Sequence, residues 1–508
     1  MNPTLSWPAT RRPLFLSLLF VFAFIVRFWL ISKGPFHYDA LDLAIQAQKT
    51  LETGALHYEH GSGYPLTVIF GAVFIGISRF FGVTDPVFSV NFMSVFFGAC
   101  GVVAFFFLLE KLFSPVPGRP QEDAGCPSRV AAYGALLLSC FSPHVAISTF
   151  GKSLTLSIFL ALSSAYFLLC FLRDGRRACL FWAAFFLGFC GAARLSDLLV
   201  LPALLILFFA LGGLSVARLK EAVLFTGVAL GTSLIYYVPM LMESGAGQFM
   251  DVLSKSEQAS FLGIFSFILP KSLKWLMGSL RPEGAVIALA GFGLLWIHRR
   301  RKELAFLLAW FLILHFFYGN VSSSGTRYLV IAWLPLLAAQ AYFLGNFRNR
   351  AVYATIAILL WLSAAGLYDN LAAMAFRHRY ALQVDFARWV EKNTPPGSAV
   401  IAVDEALFLD HYTARDIVRR PVTCDDEKME AFFAKDIEPA MAQGRRVFLV
   451  STSFAYDRCR VFRKALKSRY ELKTVGRHLN EDWHHTLLNK YLFWESLSEL
   501  RKKEENHP

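Results

Sequence analysis

A bundle of membrane-spanning helices followed by a small α/β domain is the fold this sequence predicts. Three observations predict it. Apolar runs of membrane-spanning length recur from residue 13 to about residue 369. Short clusters of Lys and Arg punctuate those runs. From about residue 370 the long apolar runs cease, and helical and strand patterns alternate. The expected division is therefore 1–369 for the transmembrane part and 370–508 for a soluble extracytoplasmic α/β domain.

Composition supports the first observation. Of 508 residues 56% are hydrophobic, 50 are Phe, and the mean hydropathy is +0.46. The spans are expected near 13–32, 88–112, 130–147, 153–172, 178–193, 198–213, 221–241, 283–298, 304–318, 328–346 and 351–369, about eleven helices of roughly bilayer length. The formal charge of +13 would suggest nucleic acid in a soluble protein. Here the charge sits at Arg11-Arg12, at Arg173, Arg176 and Arg177, at Arg218 and Lys220, at Arg299 to Lys302, and at Arg348 and Arg350. That is the positive-inside pattern, and it argues against a nucleic-acid partner. It sets the N-terminus in the cytoplasm. An odd number of crossings then sets the tail outside, as in a bacterial inner-membrane protein. The first run has no small-residue cleavage site after it and reads as a retained span.

Parity fixes one more element. Residues 64–82 are apolar enough to span, but a crossing there would put Arg119 and Arg129 outside. They are expected as a helix lying on or dipping into the outer face, part of an external loop over 33–87, with a true span as the alternative. The other external segments are 144–152, 194–197, 242–282 and 319–327. Residues 113–129 read as a Pro/Gly-rich cytoplasmic loop. Lys271, Lys274 and Trp275 read as anchors of an interfacial helix.

In the tail, the predicted elements are helix 378–393, strand 398–403, helix 405–412, strand 416–422, helix 426–443, strand 446–452 and helix 456–468. They point to a parallel sheet. Of eight Cys, only Cys424 and Cys459 lie in this tail. They can pair where the compartment is oxidising, if the fold brings them together.

The polar residues of the first part carry the chemistry. Asp39 and Asp42 follow the first span and head an amphipathic helix over 40–52. An acid at the membrane surface can serve as general base toward a hydroxyl. The competing structural role is an N-cap at Asp39 with Asp42 as its N3 partner. His57, Glu59 and His60 precede a Gly-rich turn ending at Tyr64. Their spacing matches no standard zinc pattern, so substrate contact is preferred, with a divalent metal unsupported and no cofactor assigned. His144 and Lys152 are the polar handles of the second external segment, and a Lys there can meet a lipid phosphate. Arg194 and Asp197 are charges between two short apolar runs. Arg327-Tyr328 opens a span, where an arginine can hold a phosphate through two parallel bonds.

Taken with HYDALDLA, HGSGYPLTVIFGAVF, NFMSVFFGACGVVAFFFLLEKLF, GFCGAARLSDLLVLPALL and GTRYLVIAWLPLL, residues 13–346 resemble the GT-C superfamily of integral-membrane glycosyltransferases. The likeness is strongest to its protein O-mannosyltransferase-like and ArnT-like branch. The resemblance implies an inverting sugar transfer, on the extracytoplasmic face, from a polyprenyl- or dolichyl-phosphate sugar to a hydroxyl acceptor. It implies Asp39 as the base and Arg327 as the donor-phosphate arginine. The chain departs from the pattern in having Ala40 beside Asp39, and His144 and Lys152 where members carry a second acid. Two other classes compete. A flippase for lipid-linked sugars would use mid-span charges such as Arg27, and a membrane scaffold would leave Asp39 dispensable.

Overall fold

The structure is a computed structural model and describes residues 11–36, 38–58, 64–114, 127–257, 269–320, 326–347, 352–403, 405–455, 457, 459–481 and 492–503. It divides into two compact units. The first is chiefly Asp42–His378 with the N-terminal residues through Pro35, and the second is chiefly Arg379–His485 and Asn489–Pro508 with Phe36–Leu41.

The first unit is helical throughout. In order its helices are α1 (Arg11–Phe28), α2 (Tyr38–Thr53), α3 (Pro65–Phe80), α4 (Pro86–Leu112), α5 (Pro127–Cys140), α6 (Ser142–Ile147), α7 (Leu154–Asp174) and α8 (Arg177–Ala193). A 3-10 turn (Leu195–Val200) leads to α9 (Leu201–Gly212), α10 (Val216–Glu257), α11 (Leu269–Ile297), α12 (Arg301–Asn320), α13 (Thr326–Gly345) and α14 (Val352–Arg379). Each expected span falls on a helix except 130–147, which falls on two, and 64–82 falls on α3. Among the described residues seven helices are long and apolar enough to cross a membrane, or eight with one bent pair counted as a span. The chain is therefore a multi-pass membrane protein. Length and apolarity alone do not carry the count of eleven, because α5 and α8 fall short of a bilayer's thickness and α1 carries three arginines in its 18 residues.

Boundaries differ where tertiary packing or proline intervenes. The expected span 130–147 breaks at Phe141, because Pro143 starts a new helix. The helix α10 runs on to Glu257, into the segment expected as an external loop. The residues Lys271, Lys274 and Trp275 lie inside α11, which kinks at Arg281, just before Pro282. The rest of the expected interfacial stretch, 261–268, is outside the described residues.

The helices α4, α7 and α13 are buried along most of their length and form the centre. Basic clusters at the helix ends find carbonyls there. Arg173 donates to Leu112 O at 2.7 Å and Ser114 O at 2.8 Å, and Arg300 to Phe113 O at 3.1 Å. They satisfy the last orphan carbonyls of α4. Glu303 stands 3.4 Å and 3.5 Å from the two guanidinium groups. Glycine allows α8 and α10 to approach closely. A Cβ at Gly188 would meet Ala229 O at 2.7 Å, and one at Gly191 would meet Ser233 Oγ at 2.6 Å.

The second unit is an α/β fold: α15 (Leu382–Asn393), β1 (Ala399–Ala402), α16 (Ala406–Tyr412), β2 (Asp416–Arg419), α17 (Asp426–Phe432), α18 (Glu438–Ala442), β3 (Val447–Val450), α19 (Val461–Arg469), β4 (Tyr470–Glu481) and β5 (Leu492–Lys502). The strand order is β2-β1-β3-β5-β4. The strands β2, β1 and β3 run parallel, whereas β5 pairs antiparallel with both β3 and β4. The sheet is mixed, not parallel throughout, and β4 and β5 are absent from the sequence-based expectation. Their charge-rich sequences, YELKTVGRHLNE and LFWESLSELRK, hide a strand whose burial is confined to a few positions. One sheet face packs Phe386, Val390 and Leu409 of α15 and α16. The other packs Met429, Phe433 and Phe462 of α17, its continuation and α19. Cys424 and Cys459 are bonded, with Cα atoms 5.4 Å apart.

Candidate functional site

Three cations of the first unit converge. Lys152, expected in an external loop, is only 2% exposed. Its loop is clamped to α4: Asn91 Oδ1 accepts from Gly151 N at 2.6 Å and Ser94 Oγ from Lys152 N at 3.2 Å. The other end of the Asn91 amide donates to Ser32 O at 3.1 Å. Both side chains come from the NFMS stretch of α4. Burial first, then the charges of Arg327 and Arg194, hold the Lys152 ammonium well below its ordinary range.

Arg194 closes α8 in an extended conformation and is 4% exposed. Thr67 Oγ1 donates to Ala193 O at 3.1 Å and Tyr237 OH to Gly191 O at 3.1 Å, so α3 and α10 both fix the end of α8. The Arg194 guanidinium carbon lies 5.0 Å from the ring centroid of Tyr318 and 4.4 Å from that of Tyr328. These rings stack 6.1 Å apart at 17°. Such cation–π contacts hold a buried guanidinium without using its N–H donors. Asp197 is 1% exposed and lies 3.8 Å from Arg194 Nη1, too far for a hydrogen bond. Its two oxygens accept from the hydroxyls of Ser157 and Tyr318. Arg327 shares the Tyr328 ring at 4.9 Å and donates to Tyr328 OH at 3.2 Å.

Among the described residues, Arg194 Nη1 and Arg327 Nε are buried without a hydrogen-bond partner. A buried donor left unmade costs about 1–3 kcal/mol. Two such donors stand beside a crowded ammonium. Lys152, Arg194, Arg327 and Tyr328, singled out separately in the sequence, therefore meet in one cluster. Tyr64 joins its edge. It caps α3 with a left-handed φ of 40°, and its phenol lies within electrostatic reach of Arg194.

The remaining expected residues lie elsewhere. Asp39 is half-buried in the first turn of α2, which begins at Tyr38, so it stands one residue inside the helix rather than at the cap. It groups with the second unit. Asp42 is buried and accepts from Gln46 Nε2 at 2.9 Å. His57 closes the end of α2 locally, through Thr53 Oγ1 at 3.1 Å and Thr50 Oγ1 at 3.0 Å. Glu59 and His60 lie outside the described residues. Among the described residues no three His, Cys, Asp or Glu side chains group to hold a metal. His144, expected to be external, is fully buried and takes a bond of 2.7 Å from Arg27. Ser157, Tyr318, Asn91 and Ser94 are the site's unforeseen members. For the last two, a signal existed in two polar residues in an otherwise apolar run.

Residues 50–213 match the family model of the protein O-mannosyl-transferase TMEM260 N-terminal domain. No curated protein sequence matches the chain. Among solved structures, ArnT from Cupriavidus metallidurans superposes with a TM-score of 0.61 at 14% identity, over 96% of this chain and 97% of that one. The same protein bound to undecaprenyl phosphate gives 0.59 at 13%, over 97% and 98%. The Archaeoglobus fulgidus oligosaccharyltransferase AglB, with an inhibitory peptide and a dolichol-phosphate, gives 0.54 at 14%, over 99% and 75%. The chain thus has the fold of the GT-C integral-membrane glycosyltransferases, and over residues 50–213 its sequence resembles the N-terminal domain of a protein O-mannosyl-transferase.

Proposed function

We propose that this protein transfers a sugar from a polyprenyl-phosphate donor to a hydroxyl acceptor on the extracytoplasmic face of the membrane, with inversion. The observation that carries the reading is the convergence of Lys152, Arg194 and Arg327, with unmade donors on both guanidinium groups. In the reaction, the Asp39 carboxylate takes the proton of the acceptor hydroxyl as its oxygen attacks the anomeric carbon. The bond from that carbon to the phosphate oxygen breaks, and its electron pair leaves on the phosphate. The cations stabilise the negative charge that collects there. A single displacement inverts the anomeric centre.

Several features support this assignment. ArnT binds undecaprenyl phosphate and AglB a dolichol-phosphate on the same fold, and a protein O-mannosyl-transferase model covers a third of the chain. The Cys424–Cys459 bond suits an oxidising compartment, hence an extracytoplasmic tail. Asp39 is proposed as the base, with Asp42 as its helper. His57, Glu59 and His60 are proposed to line the acceptor's path. The flippase alternative loses its main residue, because every nitrogen of Arg27 is engaged in packing α1 against α5 and α6.

The test is transfer from polyprenyl-phosphate sugars by the purified full-length protein in lipid nanodiscs. Asp39→Ala is expected to lower turnover by about 10²- to 10⁴-fold, with unchanged donor binding. Full turnover in that variant removes the mechanism.

A further inference from the structure

The second unit carries a feature that sugar transfer does not use. In its sheet the chain runs from β1 to β2 on one side, then returns to β3 on the other side of β1. The helix α16 packs on one face, and α17 and α18 on the opposite face. The order reverses between β1 and β3, and open α/β sheets bind ligands outside the carboxyl ends of strands at such a point.

Arg420 stands there. It directly follows β2, and its backbone N–H donates to Ala402 O, at the end of β1, at 3.0 Å. Its guanidinium carbon nevertheless lies 4.9 Å from the ring centroid of Phe462, in α19, which follows β3. Because β1 lies between β2 and β3, this side chain crosses outside the carboxyl end of β1. It is 3% exposed. Nη1 donates to Pro421 O at 2.8 Å. Among the described residues, Nε and Nη2 have no hydrogen-bond partner. Those two nitrogens form one edge of the planar group, the edge that grips a carboxylate or phosphate through two parallel bonds. The Phe462 ring meets the guanidinium carbon and leaves that edge unbonded. Asp457 is close enough to act on Arg420, but its oxygens accept from the backbone N–H of Phe462 at 3.1 Å and of Arg463 at 2.8 Å. The Cys424–Cys459 bond ties the loop after β2 to the loop before α19, the two loops that flank the guanidinium.

We propose that the second unit holds a small oxyanion group, a carboxylate or a phosphate, outside the carboxyl ends of β1 and β3, gripped side-on by Nε and Nη2 of Arg420. The negative charge of Asp457 alongside favours a singly charged carboxylate over a phosphate dianion. Both nitrogens are closed from solvent. The ligand therefore enters by displacing what covers them, and the disulfide limits how far the flanking loops part.

Hydrogen–deuterium exchange of the full-length protein in nanodiscs tests this, because it reads the second unit separately from the membrane site. The probes are glucuronate in one arm and inorganic phosphate in the other. With a probe at ten times its dissociation constant, exchange in peptides spanning 418–426 and 459–465 is expected to slow by about tenfold. In Arg420→Lys, which keeps the charge and loses the fork, that protection is expected to vanish. Exchange of β1 and β3 reports whether this variant keeps its fold, and Arg420→Gln serves in its place if it does not. Protection by glucuronate identifies a carboxylate, and protection by phosphate alone identifies a phosphate. No protection in either arm, or equal protection in folded variants, overturns the proposal.

Discussion

Arg27 and Arg327 are both arginines of the membrane unit, and the difference between them separates architecture from chemistry. Arg27 spends every nitrogen. Nε reaches Ser148 Oγ at 3.3 Å, Nη1 reaches Ala23 O at 2.8 Å and Ser139 O at 3.2 Å, and Nη2 reaches Leu138 O at 3.3 Å and His144 at 2.7 Å. The carbonyls of Leu138 and Ser139 lie where α5 ends before Pro143, so Arg27 bridges a helix break. Among the described residues, Arg327 bonds the hydroxyl of its neighbour Tyr328 and keeps Nε unmade. Arg194 repeats the second pattern. Its partners are two ring faces and a carboxylate at 3.8 Å, and Nη1 is unmade. A buried cation with its donors used holds the fold. One with donors in reserve is the kind we propose to meet the donor phosphate.

The contrast breaks most visibly by removing each arginine in turn. Arg27→Met should destabilise the protein by about 3 kcal/mol, because several buried acceptors lose their donor together. Arg327→Met should cost little stability and lower turnover by about 10²- to 10³-fold. Thermal unfolding in detergent, paired with a transfer assay, checks both. Equal unfolding losses would erase the distinction.

A smaller effect sharpens it. Phosphate binding should lift the depressed Lys152 ammonium back toward its ordinary range, so binding takes up a proton. Affinity should then fall as pH rises between the depressed value in the free protein and about 10.4, by at most about tenfold per pH unit. Calorimetry of a short-chain polyprenyl phosphate in buffers of different ionisation enthalpy counts that proton. Its absence would mean that Lys152 is already charged before the phosphate arrives. The smallest effect belongs to Tyr328→Phe. It keeps the ring under both guanidinium groups and deletes only the hydroxyl at 3.2 Å from Arg327. A loss of about threefold to tenfold in apparent donor affinity is expected, measured in the same titration.

The helical bundle was legible because apolar run length and basic punctuation are strong, local signals. The cluster was legible residue by residue, since Lys152, Arg194, Arg327 and Tyr328 each stand out as polar near apolar runs. Their burial was not. The segments 144–152 and 194–197 look like short external loops by hydropathy, yet His144, Lys152, Arg194 and Asp197 are packed inside the protein. Hydropathy cannot tell a loop in water from a loop tucked between helices. Ser157 and Tyr318 were silent because one small hydroxyl and one aromatic ring are ordinary in a membrane helix. In the tail, β1 and β3 announced themselves as short apolar runs buried at every position, whereas β4 and β5 are stabilised by pairing with each other over eleven positions that no single segment reveals.

The Asn91 clamp places a narrow limit on what the site can tolerate. One amide ties the chain after α1, at Ser32 O, to the Lys152 loop, at Gly151 N, using its donor on one side and its acceptor on the other. Aspartate of the same size would lose the donor, leucine would lose both, and glutamine would push the same amide one carbon too far into a space where Val90 already meets Gly151. Position 91 therefore works as a gauge block. It sets the height at which the lysine is held, and any change at this residue would require the loop to be rebuilt first.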